Sequence, residues 1–587
     1  MKKIMTLTAL AMFVSMGAGA QTVYDATNIA SKDLSGTARF VGMGGAMGAL
    51  GGDISTIGTN PAGIGIYRSN DIVASFGYSI TDVESKYGGQ TFNMGKNRWN
   101  FDNAGVVFST KVGNVTSLRY VNFAFNYQKV KSFNRNMTMA GDLNGYSQTY
   151  QMAAMSDGIT PEMWKGSNPF NANDIGWLSA LGWEGHLINP SITTDKTPYP
   201  YNDADGNQIK DEEGNLLYEN YNFYTSILGD GDYPYLREFR SRESGGVNQF
   251  DFNVSFNFND RFYLGFTIGA YDVDYNKYTL YDEDFRTGNE EPTGSGYILE
   301  SFNKVSGAGF DFKLGAILRP FEDSPLRLGL AIHTPTFYNL TWSTSARLVS
   351  DLYQGDKVVS TTVDSFDYLN NGDLKQEYQM NTPWTYNLSL GYTVGTQLAL
   401  GAEYEYKNYS TTKFYYSDGD KMEWQSNESK LCLKGVNTFR IGAEYKVIPQ
   451  FALRAGYNYS SSAFKKDAIK ALPIESINTD TDYANLKSLS NYTLGIGYRG
   501  SAFYADLAYK YSVQKGDFYP FDSSQDGEVG LTAAKLTNTR SQVILSLGTD
   551  ADQRPCAERN HRIRLGGSRQ PDRRTGLFLR HFQGIRA

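Results

Sequence analysis

Positions 249 to 258 read Gln249-Phe250-Asp251-Phe252-Asn253-Val254-Ser255-Phe256-Asn257-Phe258, with an apolar residue at every even position and a polar one at every odd position. A strand directs successive side chains to opposite faces, so this segment has one apolar face and one polar face. A single such segment would suit a half-buried strand of a soluble sheet. Here the pattern recurs. Val121, Phe123, Phe125 and Tyr127 alternate with Asn122, Ala124 and Asn126, and Leu398, Leu400, Ala402, Tyr404 and Tyr406 alternate with Gly401, Glu403 and Glu405. Fourteen strand candidates begin near Asp71, Asn103, Leu118, Asn248, Arg261, Val305, Leu326, Thr385, Gln397, Thr438, Phe451, Tyr492, Phe503 and Arg540. In the fifth, the apolar phase shifts near Ala270, which predicts a bulge or departure from the lipid zone.

Three further observations select a membrane barrel over a soluble sandwich. Residues 1–20 read as an export signal: Lys2 and Lys3, an apolar core from Ile4 to Met16, and the small-residue cleavage site Ala18-Gly19-Ala20. No stretch supplies the roughly 18 uninterrupted apolar residues of a membrane helix. Short links at 112–117, 259–260, 320–324, 394–396, 447–450 and 500–501 alternate with long ones, the largest at about 131–247. Short periplasmic turns facing long outer loops are the habit of outer-membrane barrels, whose strands show apolar residues to lipid and polar ones to the lumen. The expectation is an all-β, transmembrane antiparallel β-barrel of about 14 strands spanning 71–549, a monomer in outer-membrane lipid. Residues 21–70 would form a plug in its lumen, and an even strand count places both termini on the periplasmic side.

Composition narrows the function. The net charge is −7, and the acidity of the body is partly masked by nine Arg after position 549, which argues against a nucleic-acid partner. Cys432 and Cys556 provide no disulfide framework. Only His186 and His333 lie outside the tail, and neither sits in a nucleophile or metal motif, so no catalytic residue, no metal site and no cofactor is expected and the chain reads as a non-enzyme. Asp203-Ala204-Asp205-Gly206-Asn207 with Asp211, Glu212 and Glu213 places its Gly at the fourth position, not the sixth of a calcium loop, and reads as a solvated acidic hairpin. The glycine run Gly42-Met43-Gly44-Gly45-Ala46-Met47-Gly48 does not follow an apolar strand, so it is no dinucleotide loop.

The remaining candidates belong to a pore. Asp251, Glu403, Glu405, Arg440, Glu444, Arg454 and Asp506 fall on lumen-facing parity, with Arg440 and Arg454 placed to pair with Glu403 and Glu405. In the largest loop, Thr160-Pro161 reads as a helix start, and a second helix is expected behind Asp174. Trp164, Trp177, Leu178, Leu181 and Trp183 either pack that loop onto itself or form an apolar capture surface above the pore.

The segment Gly36-Thr37-Ala38-Arg39-Phe40-Val41-Gly42-Met43-Gly44-Gly45-Ala46, with Gly48 and Asn60-Pro61-Ala62-Gly63, resembles the N-terminal plug of the FadL/TodX family. That family comprises outer-membrane transporters of long-chain fatty acids and hydrocarbons. Gly401-Ala402-Glu403-Tyr404, Arg440-Ile441-Gly442-Ala443-Glu444-Tyr445 and Leu453-Arg454-Ala455-Gly456-Tyr457 extend the resemblance. It implies a fourteen-stranded barrel with a small plug, passive uptake of a hydrophobic small molecule, and exit of the ligand sideways through a gap in the wall. Two other readings stand beside it: haem uptake, disfavoured by the scarcity of His, and a structural or adhesive barrel without transport. The resemblance also implies that the chain should finish near Thr549. Residues 550–587, rich in Arg and lacking Lys and Tyr, depart from the rest, as a disordered appendage or an out-of-frame segment would.

Overall fold

The computed structural model describes residues 21–166, 168–229, 231–288, 291–354, 357–501, 503–525 and 528–550. The expected export signal and the tail beyond Asp550 lie outside them. Fourteen strand positions form the wall: β1 Asp71–Tyr87, β2 Gln90–Lys111, β3 Leu118–Ser132 continued by Arg135–Asp142, β4 Asp232–Phe258, β5 Phe262–Thr287, β6 Pro292–Leu318 and β7 Arg327–His333 continued by Phe337–Gln354. β8 is Leu374–Asn381 continued by Thr385–Val394 and β9 is Leu398–Asn408 continued by Lys413–Tyr416. The wall ends with β10 Gly435–Ile448, β11 Phe451–Ser460, β12 Tyr483–Arg499, β13 Tyr504–Tyr519 and β14 Ala534–Asp550.

Each strand pairs antiparallel with the next, and β14 pairs with β1 from Asp71 opposite Asp550 to Lys86 opposite Lys535, so the barrel is closed. The core is therefore a lumen, and the lipid-facing surface is the apolar parity of each strand. Phe252, Leu388, Leu390, Leu400, Ile441 and Leu507 are all exposed on the outside, with Val254 and Phe256 half-exposed beside them.

The strands are far longer than a membrane requires. β4, β5 and β6 have 27, 26 and 27 residues, roughly 85–90 Å of strand at about 3.3 Å per residue, against an apolar band of about 25 Å. Their outer halves rise into a crown. On β5 the outward positions Phe266, Ile268 and Ala270 give way to Asp272, Asp274 and Asn276, while the inward positions pass from Thr267 and Gly269 to Tyr271, Val273 and Tyr275. The register is unbroken there, opposite both β4 and β6. The phase shift near Ala270 is thus departure from lipid, with no bulge. β7 and β8 make the same transition differently. Thr334-Pro335-Thr336 and Thr382-Pro383-Trp384 interrupt them, because proline cannot donate to the ladder, and residues of the same parity face out below the break and in above it.

The two ends of the segment expected as one loop, about 131–247, are strand: the wall takes up 135–142 and 232–258, leaving 143–231 as the largest outer insertion. Helices Gln148–Ala154, Pro161–Gly166 and Trp177–Glu184 and a hairpin of Ile188–Thr193 with Tyr218–Ser226 fold into it. Gly176, not Asp174, is the cap before Trp177. Cys432 is a buried free thiol.

Candidate functional site: the plugged lumen

The plug begins high and ends low. Thr22 caps helix α1, Val23–Ala30, by accepting from the Asp25 amide, and Thr37 caps α2, Ala38–Gly42, through the Phe40 amide. Two 3₁₀ turns follow: Ile54–Gly58 capped by Asp53, and Pro61–Ile66 capped by an extended Asn60 with Pro61 at the first helical position. Gln21 is 3% exposed and its Nε2 donates to Gln376 in the crown half of β8, 3.0 Å away. The even strand count does place β1 and β14 side by side at the end carrying the short turns. The plug, however, climbs back through the lumen, so Gln21 lies under the outer loops rather than at the periplasmic side as expected.

The wall is shaped to receive the plug backbone. Gly391, Gly401, Gly442 and Gly456 stand in direct register on β8 to β11. A methyl group at Gly401 would lie 1.9 Å from the Ala46 carbonyl oxygen, at Gly442 2.2 Å from that of Met43, and at Gly456 2.2 Å from the Gly44 nitrogen. On β5 and β6, Gly265 and Gly315 do the same for Pro61 and Asn60. Glycine inside a strand marks close approach of another backbone, and here it forms a belt around the plug. Gly44 answers from the plug side, with φ of +63° and its own missing Cβ 2.8 Å from the Tyr457 nitrogen. Gly45, at φ +80°, sits against Leu34 and Arg440, and Gly48 faces Glu403, whose Oε2 accepts from its amide at 3.0 Å. The glycine run therefore fits the plug to the wall. Asn60 donates to the Ala316 carbonyl, Ser255 donates to the Pro61 carbonyl, and Ala62 is fully buried.

Charged groups join wall to wall and wall to plug. Arg440 bridges Glu403 and Glu405 at 2.5 and 2.9 Å. Arg454 goes elsewhere than expected, to Glu444 and Asp506, both at 2.6 Å. Glu444 also receives a bidentate pair from the plug's Arg39, at 2.9 and 3.0 Å, the strong form of such a contact. Asp251 pairs with fully buried Lys313 at 2.6 Å, and Lys313 reaches Asp311 at 3.3 Å. Sequence gave Asp251 without its partner, because parity names a face and not a neighbour.

Above this belt lies a cavity of about 280 Å³ between α1 and the wall. From β1, β3, β13 and β14 the cavity takes the apolar residues Val83, Val130, Met137, Phe518 and Leu536, interspersed with Gln128, Lys131, Arg135, Gln514 and Asn538. From the plug it takes Lys32, and from β7, β9 and β10 it takes His333, Glu405, Lys407 and Arg440. Lys32 donates to Gln249 and Tyr271, and Lys407 to the Ala30 carbonyl; among the described residues neither forms an ion pair. Tyr483 Oη, Gln128 Oε1, Ser241 Oγ and Asn538 Oδ1 belong to lining residues, are buried and have no hydrogen-bond partner among the described residues. Buried polar atoms are normally satisfied, so this cavity suits an occupant with a polar end. No described cluster of His, Cys, Asp and Glu has the makings of a metal site.

The loop tryptophans stay away from the cavity. Trp164 stacks on Trp183 at 5.0 Å and donates to Tyr224; Trp177 donates to the Phe170 carbonyl. Trp177, Leu178 and Leu181 are at most 1% exposed. Trp164 and Trp177, with their indole N–H groups satisfied inside the insertion, and Leu178 and Leu181 belong to its packed interior, while Trp183 is half-buried beside Trp164. A part of the site that sequence missed is the segment 461–482, which folds inward: Asp480 and Asp482 meet Lys277 of β5 at 2.7 and 3.0 Å, and Phe464 stacks on Tyr24 of α1.

Comparison with known proteins places this geometry. Residues 238–516 match the family described as outer membrane protein transport protein (OMPP1/FadL/TodX). No curated relative matches the sequence. Among solved structures, a Pseudomonas aeruginosa FadL homologue is 12% identical, covering 89% of this chain and 99% of its own, with a TM-score of 0.46. The P. putida toluene transporter TodX is also 12% identical, covering 88% and 99%, with a TM-score of 0.43. These superpositions are too loose to carry ligand or mechanism.

Proposed function

We propose, for a chain that belongs to the OMPP1/FadL/TodX family of outer-membrane transport proteins, passive uptake of a single-chain amphiphile with an anionic head, a long-chain fatty acid or a close analogue. The observation that carries this reading is a cavity that offers apolar surface together with unpaired lysines and orphaned polar atoms. Val83, Val130, Met137, Phe518 and Leu536 offer an alkyl chain apolar surface, and burying it there is favourable by roughly 0.8 kcal/mol per CH₂. Lys32 and Lys407 face the same cavity, and among the described residues neither forms an ion pair. A plain hydrocarbon would offer Lys32 and Lys407 no counter-charge and leave the orphaned Gln128, Ser241, Tyr483 and Asn538 atoms unsatisfied, which is costly in a water-poor site.

In this reading burial and polar pairing hold the ligand and its concentration gradient drives net uptake, so transport is passive. β14 closes on β1, so the wall of the barrel has no free lateral edge. A sideways exit has one structural candidate, the level at which Thr382-Pro383-Trp384 of β8 faces the longer 408–412 of β9, beside the lining residues Thr385, Lys407 and Tyr409. Haem gains no support, since His333 Nε2 is engaged with the Thr59 carbonyl at 3.1 Å. Mass spectrometry of protein purified in mild detergent tests the reading. A fatty acid or similar amphiphile should co-purify and be lost from a Lys32→Met/Lys407→Met variant. A porphyrin, or a cavity that neither carries a co-purified amphiphile nor binds added oleate, would contradict it.

A further inference from the structure

Two glutamines stand side by side in the wall of the cavity and are used unequally. Gln128 of β3 and Gln249 of β4 are directly opposed across the ladder, both are buried, and both line the cavity. Gln249 is saturated: its Oε1 accepts from Lys32 at 3.2 Å and its Nε2 donates to Asp251 at 2.6 Å. Gln128 is half used. Its Nε2 donates to the Ser35 carbonyl at 3.0 Å and to Ser35 Oγ at 3.1 Å, while its Oε1 has no partner among the described residues.

The orientation of the Gln128 amide follows from its neighbour. A backbone carbonyl only accepts, so the atom that meets the Ser35 carbonyl must be the NH₂, and the atom left over is an acceptor. Ser241 Oγ and Tyr483 Oη also line the cavity without partners, but a hydroxyl donates or accepts and suits a polar group of either kind. Gln128 Oε1 takes a donor and nothing else. A carboxylate and an alkyl chain carry none, so a plain fatty acid would leave this atom as bare as a hydrocarbon does. Directly opposed residues have Cβ atoms about 4.5–5.5 Å apart, and Lys32 is bound to the other glutamine of the pair. The free acceptor therefore lies close to the place where Lys32 holds a head group.

Resting on the transport reading above, we propose that the cavity selects amphiphiles carrying an O–H or N–H donor a few bonds from the anionic head, such as a 3-hydroxy fatty acid or an N-acylated amino acid, and that Gln128 reads that donor. Lys32 takes the head, Gln128 Oε1 accepts from the hydroxyl or amide, and the alkyl chain runs on against the apolar lining. The preference is positional, because the acceptor stands beside the lysine and a donor at the far end of the chain does not reach it.

Equilibrium binding to the purified full chain in mild detergent tests this with hexadecanoate, 3-hydroxyhexadecanoate, 16-hydroxyhexadecanoate and N-tetradecanoylglycine. At least one of the two probes with a donor near the head should bind about tenfold more tightly than hexadecanoate, the scale expected for satisfying one buried acceptor. The tighter of the two identifies the donor as hydroxyl or amide. 16-Hydroxyhexadecanoate should not share the gain, and Gln128→Met, which keeps the length of the side chain and removes the acceptor, should abolish it. Equal affinity of the unmodified chain for hexadecanoate and both head-proximal donors, as when water satisfies Gln128, would overturn the proposal whatever the variant does. So would an equal gain from the terminal hydroxyl, or a preference that survives in Gln128→Met. Failure of the unmodified chain to bind any of the probes would overturn the amphiphile reading itself.

Discussion

The lower and upper halves of this barrel are made from the same strands and obey opposite rules. In the membrane zone the outward face is apolar and the lumen is polar, filled by the plug and by paired charges such as Asp251 with Lys313. In the crown the outward face carries Asp272, Asp274 and Asn276, and the inward face carries Tyr271, Val273, Tyr275, Trp342 and Leu348, which join one continuous core with Val23 and Ala26 of α1. Solvent alone sets the sign. Where lipid surrounds the wall, apolar residues gain nothing by turning in; where water surrounds it, they must. β5 inverts by changing which parity is apolar while its register runs on. β7 and β8 keep their apolar parity and invert the faces by a proline break.

The largest effects should come from groups that belong wholly to one half. Trp342 is 1% exposed in the crown core, and Trp342→Ala should cost about 3–5 kcal/mol, read as a lowered denaturation midpoint in vesicles. Next comes the contrast within one face of one strand. Ile268→Arg should cost about 2–4 kcal/mol because that position meets lipid, whereas Asn276→Arg, eight residues along the same outward face, should stay within about 0.5 kcal/mol. Comparable costs at both positions would erase the distinction between the halves.

A smaller effect is expected where plug meets wall. Gly401→Ala forces a methyl group against the Ala46 carbonyl and should cost about 1–3 kcal/mol of strain. Single-channel recordings should show it as higher or noisier ion conductance, because the plug must back away; an unchanged conductance would mean that the belt does not seat the plug. Deleting residues 21–59 should leave an assembled barrel and raise conductance further.

The smallest effect concerns the crown helix Glu423–Cys432. Burial, with Asp522 nearby, raises the Glu428 carboxyl to about 8 from an ordinary value of 4.5. In the fold it holds its proton where the unfolded chain has released it, so its contribution to stability is full below about 4.5 and is lost as pH rises through about 8. Hydrogen exchange in this helix should quicken between those values, and Glu428→Gln should flatten the dependence.

The fourteen strands were legible because lipid imposes a strict period of two on each of them. Their outer reaches were not. β2, β4, β6, β12 and β14 begin at Gln90, Asp232, Pro292, Tyr483 and Ala534, six to sixteen residues before the positions at which outward apolar alternation starts. There the apolar phase has changed sides or faded, and alternation no longer reports membrane. The charged lumen residues were found by parity, but Lys313, Lys32 and Lys407 were passed over because their partners come from other strands or from the plug. The belt had a local signal that could have been used: single glycines inside otherwise alternating strands, at Gly401, Gly442 and Gly456. The loop tryptophans show the opposite failing, since apolar spacing cannot say whether a surface is covered.

One measurement bears on the inversion directly: single-cysteine labelling along β5 at 266, 268, 270, 272, 274 and 276 on the outward face and at 267 and 273 on the inward face. In vesicles, a lipid-soluble probe should mark only the first three outward positions and a water-soluble probe only the last three, with the inward pair protected from both. Water-soluble labelling along the whole outward face, or lipid-soluble labelling beyond 272, would contradict a barrel that turns its apolar side inward where the membrane ends.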